Sequence, residues 1–412
     1  MINLHFNFKD VFRAGRLGFS AKKMWVVFVG LLVAFIGYDI LTYIAYMVAG
    51  SEISYIWASF RLVPMYPTDF SWPWFAWVIY IVGALWWVCV NLIAGTAVSK
   101  ITHEQLKGDE FFEIKEAVKF ALKNGKSAIA APFVLILFII SLIVMGIVLA
   151  LITRIPYFGQ LFFTIMAIPA FFVCIFILYL LIVTVVSLMI GPSIVGATGN
   201  DTFDTLFESF SVINDQPWRF IVYQSLLKFV IIAGVGILGF FAAKAIFLGQ
   251  DIIGLIVPKE KLDNILINAA YYVKVSLPPI YPVWMHDNFV KFIEFIGMPN
   301  LLFAPEYVPA YETWAGAISS FVLGIIYYLI VLGVGSLGCA IYWAGNTVIF
   351  TVLVKKKDDK NLLEIKEELF EEKKEEKTDE KTEEKKTKRP RKKEEEGEKP
   401  GEEPKSEDKK EV

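Results

Sequence analysis

The chain predicts an all-α integral membrane protein. Six transmembrane helices form three units, each an interfacial helix followed by a two-span hairpin, and a disordered charged C-terminal tail follows them. Three observations lead to this class. The 412 residues are 56% apolar with mean hydropathy +0.54, although the tail adds almost nothing to that share. Apolar runs of about 20 residues, the length that crosses a roughly 30 Å hydrocarbon layer as helix, lie near 24–48, 73–97, 128–151, 161–190, 219–248 and 314–354. Amphipathic segments of like pattern precede the first, third and fifth runs. The runs do not alternate strictly, which argues against a β-barrel. A helix also satisfies its own backbone in lipid.

The first run, "MWVVFVGLLVAFIGYDILTYIAYMV", is longer than a signal-peptide hydrophobic region, and no small-residue cleavage site follows it. It reads as an uncleaved anchor. Lys9, Arg13, Arg16, Lys22 and Lys23 precede it. Lys107, Lys115, Lys119, Lys123 and Lys126 lie between runs two and three, and Lys355, Lys356 and Lys357 follow run six. The short loops on the other side carry Arg61 and Arg154. The positive-inside bias then places both termini in the cytoplasm of a plasma (inner) membrane protein. Trp72, Trp74, Trp77 and Trp314 mark the outer belt, and Trp25 and Trp218 the inner one. The sixth run exceeds a span and should project from the membrane.

The three amphipathic segments align. "FKDVFRAGRLGFSAKKMW" from Phe8, "FFEIKEAVKFALKNGKSAI" from Phe111 and "DTFDTLFESF" with its phenylalanine at 203 bring Val11, Ile114 and Leu206 together. They also align the small residues Ala14, Ala117 and Ser209. A repeat defines architecture, although any amphipathic helix before a span matches in part. The units cover about 8–100, 105–196 and 200–354, so the membrane domain is 1–354. The third unit carries an outer insertion at 249–312, with two amphipathic candidates, "KEKLDNILINAAYYVKV" and "VWMHDNFVKFIEFIGM", each able to lie on the outer leaflet.

In the third amphipathic segment, Phe203, Leu206, Phe207, Phe210 and Ile213 fall on one stripe, with Asp204, Glu208, Ser211 and Asp215 opposite. The i, i+3, i+4, i+7 spacing marks an amphipathic helix. Asp201 followed by Asp204 forms an imperfect N-terminal cap. Pro217 and Trp218 turn the chain into the next span. The stripe predicts Phe203, Leu206, Phe207 and Phe210 buried in headgroups or under the bundle, with Asp204 and Glu208 in water.

The tail, 355–412, holds 20 of the 40 basic and 22 of the 42 acidic residues. It is too poor in apolar surface to build a core. "NLLEIKEELFEEKK" could form an amphipathic helix, and "KKTKRPRKK" is basic enough for anionic lipid headgroups, but flanking glutamates weaken that field and argue against nucleic acid. Cys89, Cys174 and Cys339 each fall within a span and read as packing residues. His5, His103 and His286 are far apart, which argues against a metal cluster. No phosphate-binding, dinucleotide, metalloprotease or nucleophile-elbow motif is found, so no cofactor is expected. "GVGILG" and "GVGSLG" lie inside spans, where they permit close helix packing.

Ionisable groups inside spans are functional candidates by default. Asp39, on a face with Tyr43 and Tyr46, and Lys228, one turn after Gln224, form the candidate intramembrane polar site: Asp39, Tyr43, Gln224 and Lys228. At about 1.5 Å per residue, Asp39 and Lys228 differ in depth by on the order of 10 Å. Pairing therefore needs tilt or a stretched lysine. The alternatives are an Asp39 hydrogen-bonded to tyrosines with a snorkelling Lys228, or a proton or ion path.

The apolar "GPSIV", the acid-capped "DTFDTLFESF", the re-entry "PWRF" and the earlier "KEAVKFALKN" resemble the polytopic membrane domain attached to some glycerophosphodiester phosphodiesterases. They also resemble related six-span bacterial membrane proteins. The resemblance is clearest over 100–225. The His-Arg-Gly start and acidic metal ligands of the catalytic domain are missing, so no enzymatic residue carries over. The resemblance implies a non-enzymatic role in membrane-lipid or envelope homeostasis, with membrane lipids as partners. The alternative is a permease subunit whose cytoplasmic helices couple to a separate ATPase; a channel is disfavoured because no polar pore-lining repeat is visible.

Overall fold

In the computed structural model, residues 4–62, 64, 72–273, 313–359 and 361–364 are described; for 259 and 260 this covers the backbone alone. Every regular element among them is helical: α1 (Lys9–Gly18), α2 (Ala21–Val48), α3 (Ile53–Phe60), α4 (Trp74–Lys107), α5 (Ile114–Ile152), α6 (Phe158–Thr198), α7 (Thr202–Asp215), α8 (Pro217–Gly254), α9 (Lys259–Tyr272) and α10 (Trp314–Asp358). Six of these, α2, α4, α5, α6, α8 and α10, are long and apolar enough to cross a membrane. The chain is a multi-pass membrane protein.

Helix boundaries follow local chemistry. Asp201 Oδ1 accepts from the Asp204 amide at 3.0 Å, the expected cap of α7. Gly199, at φ +70°, ends α6 in the left-handed conformation that glycine adopts at little cost. Pro217 opens α8, where its missing N–H loses nothing. The second amphipathic segment has no such punctuation. Gly125 alone costs only about 1 kcal/mol in a helix, so residues 114–126 run straight on into the third span as one helix. In that unit the interfacial segment is thus the first turns of the span itself.

The units are joined in a ring. The second spans, α4, α6 and α10, meet along the centre. Ser99 and Ser193 hydroxyls lie 3.3 Å apart, and the Thr347 hydroxyl stands 3.5 Å from Ser193. A Cβ on Gly196 would come within 2.5 Å of Ser99 Cβ, and one on Gly95 within 2.6 Å of the Trp343 ring. Small residues of this kind let helices approach closely where lipid offers no hydrophobic drive. Each amphipathic segment packs against the second span of the preceding unit: Ala117 and Ala121 join the core around Leu92, Val98 and Ile101 of α4. Leu206 of α7 joins Leu180 and Val183 of α6. Ala14 of α1 lies beside Gly345 of α10. Lys23, fully buried, donates to the Leu17 carbonyl and to Gln105 Oε1, each at 2.8 Å, and ties the end of α1 to α2 and α4. A cation at a helix C-terminus is favourable.

From Trp314 to Ile341, where α1 crosses α10, the helix rises about 40 Å. That is a bilayer's thickness with its headgroups. The amphipathic segments therefore form a collar at one face, and α4, α6 and α10 project beyond it as a buried bundle that includes Thr96, Ser193, Asn346 and Thr351. The opposite face, the loop end, differs from the sequence reading in two respects. The short α3 was not anticipated. The first insertion helix, α9, does not lie free on a leaflet: it packs on α10, with Ala269 and Val273 against Tyr327. The second insertion candidate, with His286, and the tail from 365 lie outside the described residues.

Candidate functional site

The four candidate intramembrane residues do not form one site. On α2, Asp39, Thr42 and Tyr43 share a face. Asp39 Oδ1 and Thr42 Oγ1 are buried without a hydrogen-bond partner, as is the hydroxyl of Tyr328 on α10. Asp39 is close enough to Tyr38, Tyr43 and Tyr328 to act on each electrostatically. The expected tyrosine hydrogen bonds to this oxygen are not made. Tyr43 donates a hydrogen bond to the Arg61 carbonyl, and Tyr46 meets Trp72 edge-on with ring centroids 4.6 Å apart. Arg61 lies over three rings, 5.0 Å from Tyr271, 5.1 Å from Tyr272 and 6.0 Å from Trp57, a cation–π clamp at the loop end. Each unpaired buried polar atom costs about 1–3 kcal/mol. The Asp39–Thr42–Tyr328 group is thus an acceptor-rich spot suited to a water molecule or a proton.

Gln224 and Lys228 belong elsewhere. Gln224 points into the collar-end bundle and donates to Asn346 Oδ1. Lys228 is exposed on the outside of α8, with no ion pair to Asp39 among the described residues. Its depth explains this. A Cβ on Gly15 of the collar would meet Val230 Cγ1 at 3.1 Å, so Lys228 stands near headgroup level, where an ammonium is solvated.

The interfacial helix α7 forms as expected, and the face it turns to protein is offset from the phenylalanine stripe. Leu206 is buried and Phe210 half-buried, while Phe203 and Phe207 are 65% and 66% exposed. Thr205, Ser209 and Val212 complete the packed face. The reason is close approach: small hydroxyl residues fit against α6, and the phenylalanines are left for the headgroup region. The same holds across the aligned segments. Ala14, Ala117 and Ser209 are all fully buried, whereas Phe8, Phe111 and Phe203 are all exposed.

The sequence reading missed a groove of about 540 Å³ between α1, α8 and α10. Its walls are Phe12 of α1 and the capping residue Phe19, Phe229 and Phe241 of α8, and Ile341 of α10; its one charged lining residue is Arg16. Gly15 and Gly234 also line it, and the side chains of Val230 and Ile341 pack directly against them. A second missed signal was legible. "IAGTAV" (93–98), "MIGPSI" (189–194) and "WAGNTV" (343–348) repeat a glycine followed by a small residue in each second span. They mark the part of the bundle where the three helices meet.

No family model, curated protein or solved structure matches the chain. The resemblance to the phosphodiesterase-linked membrane domain therefore stands on its motifs alone.

Proposed function

We propose that this is a non-enzymatic multi-pass protein of the plasma (inner) membrane that serves membrane-lipid or envelope homeostasis, with both termini cytoplasmic. The observation that carries the reading is the groove between α1, α8 and α10: apolar, on the side of the bundle, and bounded at the collar by Arg16. Its volume lies within the range of small-molecule sites, and its position makes a membrane lipid the natural occupant. The basic residues of α1, of the α4–α5 junction and of the end of α10 gather at the collar, which supports a cytoplasmic collar. The likeness to phosphodiesterase-linked membrane domains points the same way. The test is comparative lipidomics of a deletion strain and a complemented one. A reproducible change in phospholipid composition, restored by complementation, supports the reading; identical profiles together with lipid-free purified protein would overturn it.

One observation favours the second reading, a permease subunit working with an ATPase. Phe203 and Phe207 project from the collar beside exposed Asp204, a face that a partner protein could cover. Co-purification of an ATPase that is lost on substituting both phenylalanines with serine would select that reading.

A further inference from the structure

We infer that the groove between α1, α8 and α10 is a specific site for one anionic phospholipid of the collar-side leaflet, its acyl chain along α8 and its phosphate on Arg16. This deepens the lipid reading and rests on it.

The dimensions fit one leaflet. The α8 wall runs from Phe229 to Phe241, about 18 Å at 1.5 Å per residue, against about 15 Å for half of a 30 Å hydrocarbon layer. The collar end of this wall is at headgroup depth, since Gly15 meets Val230 there. A chain entering beside α1 would thus run inward in the direction that leaflet lipids take. The floor is closed by tight packing of α1 and α8 on Ile341 of α10. A Cβ on Gly234 would lie 2.7 Å from Ile341 Cδ1, and one on Gly18 would lie 2.5 Å from Ile341 Cα.

The rim selects charge. The outward face of α1 alternates cation and ring: Lys9, Phe12, Arg16 and Phe19 are all exposed. The acid of this helix, Asp10, is turned inward, fully buried, and holds Arg13 at 3.5 Å. Arg16 makes no ion pair among the described residues. It is the one charged side chain lining an otherwise apolar groove, and a guanidinium offers a fork of donors that matches phosphate. With Lys9 on the same face and the acid withdrawn, the rim is net positive and favours a headgroup of net negative charge over a zwitterionic one.

The experiment uses the full chain, delipidated in detergent, with native mass spectrometry after adding phosphatidylglycerol or phosphatidylcholine of identical chains. Wild type is expected to retain one phosphatidylglycerol under activation that strips phosphatidylcholine. Ala233→Phe fills the groove and should lose both. Arg16→Gln should weaken phosphatidylglycerol about fivefold and leave phosphatidylcholine unchanged, whereas Arg16→Lys should keep most of the preference. Arg16 is exposed, so the glutamine variant does not depend on refolding the bundle. Undiminished phosphatidylglycerol retention by Ala233→Phe would overturn the site. Equal retention of the two lipids by wild type, unchanged in Arg16→Gln, would overturn the anionic assignment while the lipid reading stands. Retention of neither lipid would sink both.

Discussion

Replacing Gly18 with alanine tests the joint on which the ring closes. A Cβ at Gly18 would lie 2.5 Å from Ile341 Cα and 2.7 Å from its amide nitrogen. Both atoms are main chain of α10, so no rotamer change relieves the contact and one helix must move. Overpacking of this kind costs about 1–3 kcal/mol. The gain in helix propensity, at most about 1 kcal/mol, is reduced because Gly18 is the last residue of α1. The net expectation is a loss of about 1–2 kcal/mol. Two further glycines calibrate it. A Cβ at Gly338 would meet Val235 Cγ2 at 2.8 Å, a branch tip that can turn away, and one at Gly333 would meet nothing within 4 Å. Thermal unfolding of the purified variants in one detergent should rank them Gly18→Ala below Gly338→Ala below Gly333→Ala. The last should melt at or above wild type. A Gly18→Ala protein as stable as Gly333→Ala would refute the close crossing of α1 and α10, and with it the geometry of the groove.

Four other outcomes are expected. Asp39→Asn should melt at or above wild type, because it replaces a buried carboxyl whose Oδ1 has no hydrogen-bond partner with a neutral amide; a clear loss of stability would mean that the carboxyl is paired within the membrane. Leu206→Ala, which opens a cavity between α7 and α6, should cost about 2–4 kcal/mol. Spin labels at 203 and 207 should be mobile and accessible, while labels at 206 and 212 should be immobilised; similar spectra at all four positions would refute the turned face. In protein cleared of Cys89, Cys174 and Cys339, cysteines placed within 259–272 should react with an impermeant reagent from outside, and those within 360–412 only after permeabilisation, the reverse pattern inverting the topology.

The spans, the Asp201 cap and the Pro217 restart were legible because length, capping and proline chemistry are local. What was not legible depends on which face of a helix meets protein. In water an apolar stripe points to the core. At a membrane surface it can point to lipid instead, and helix contact selects small residues. Thr205 and Ser209, not Phe203 and Phe207, therefore mark the packed face of α7. The same rule explains why Ala14, Ala117 and Ser209 were the informative column of the internal alignment. It also explains why the repeated glycines at 95, 191 and 345 outweigh the aromatic pattern. Asp39 was found by charge and Tyr43 by helical spacing, but Tyr328 was not, because it comes from α10, far along the chain. Lys228 did not join Asp39: it is exposed on α8, with no ion pair to Asp39 among the described residues.

The position of the groove follows from the connectivity of the ring. Two of the three collar joints are reinforced by the chain itself. Residues 108–113 link α4 to the segment that packs on it, and residues 199–201 link α6 to α7. The third joint, α1 on α8 and α10, brings together the two ends of the membrane domain through close packing, with Gly18 of α1 against Ile341 of α10. Its contacts are glycine-mediated and its cations face outward, so this joint has room and charge for a ligand. A lipid seated there would touch α1 of the first unit and α8 and α10 of the third. Its occupancy would bear directly on whether the ring stays closed. Added phosphatidylglycerol should therefore raise the unfolding midpoint of wild type and leave that of Ala233→Phe unmoved. An equal shift in both would place the stabilising lipid somewhere other than this joint.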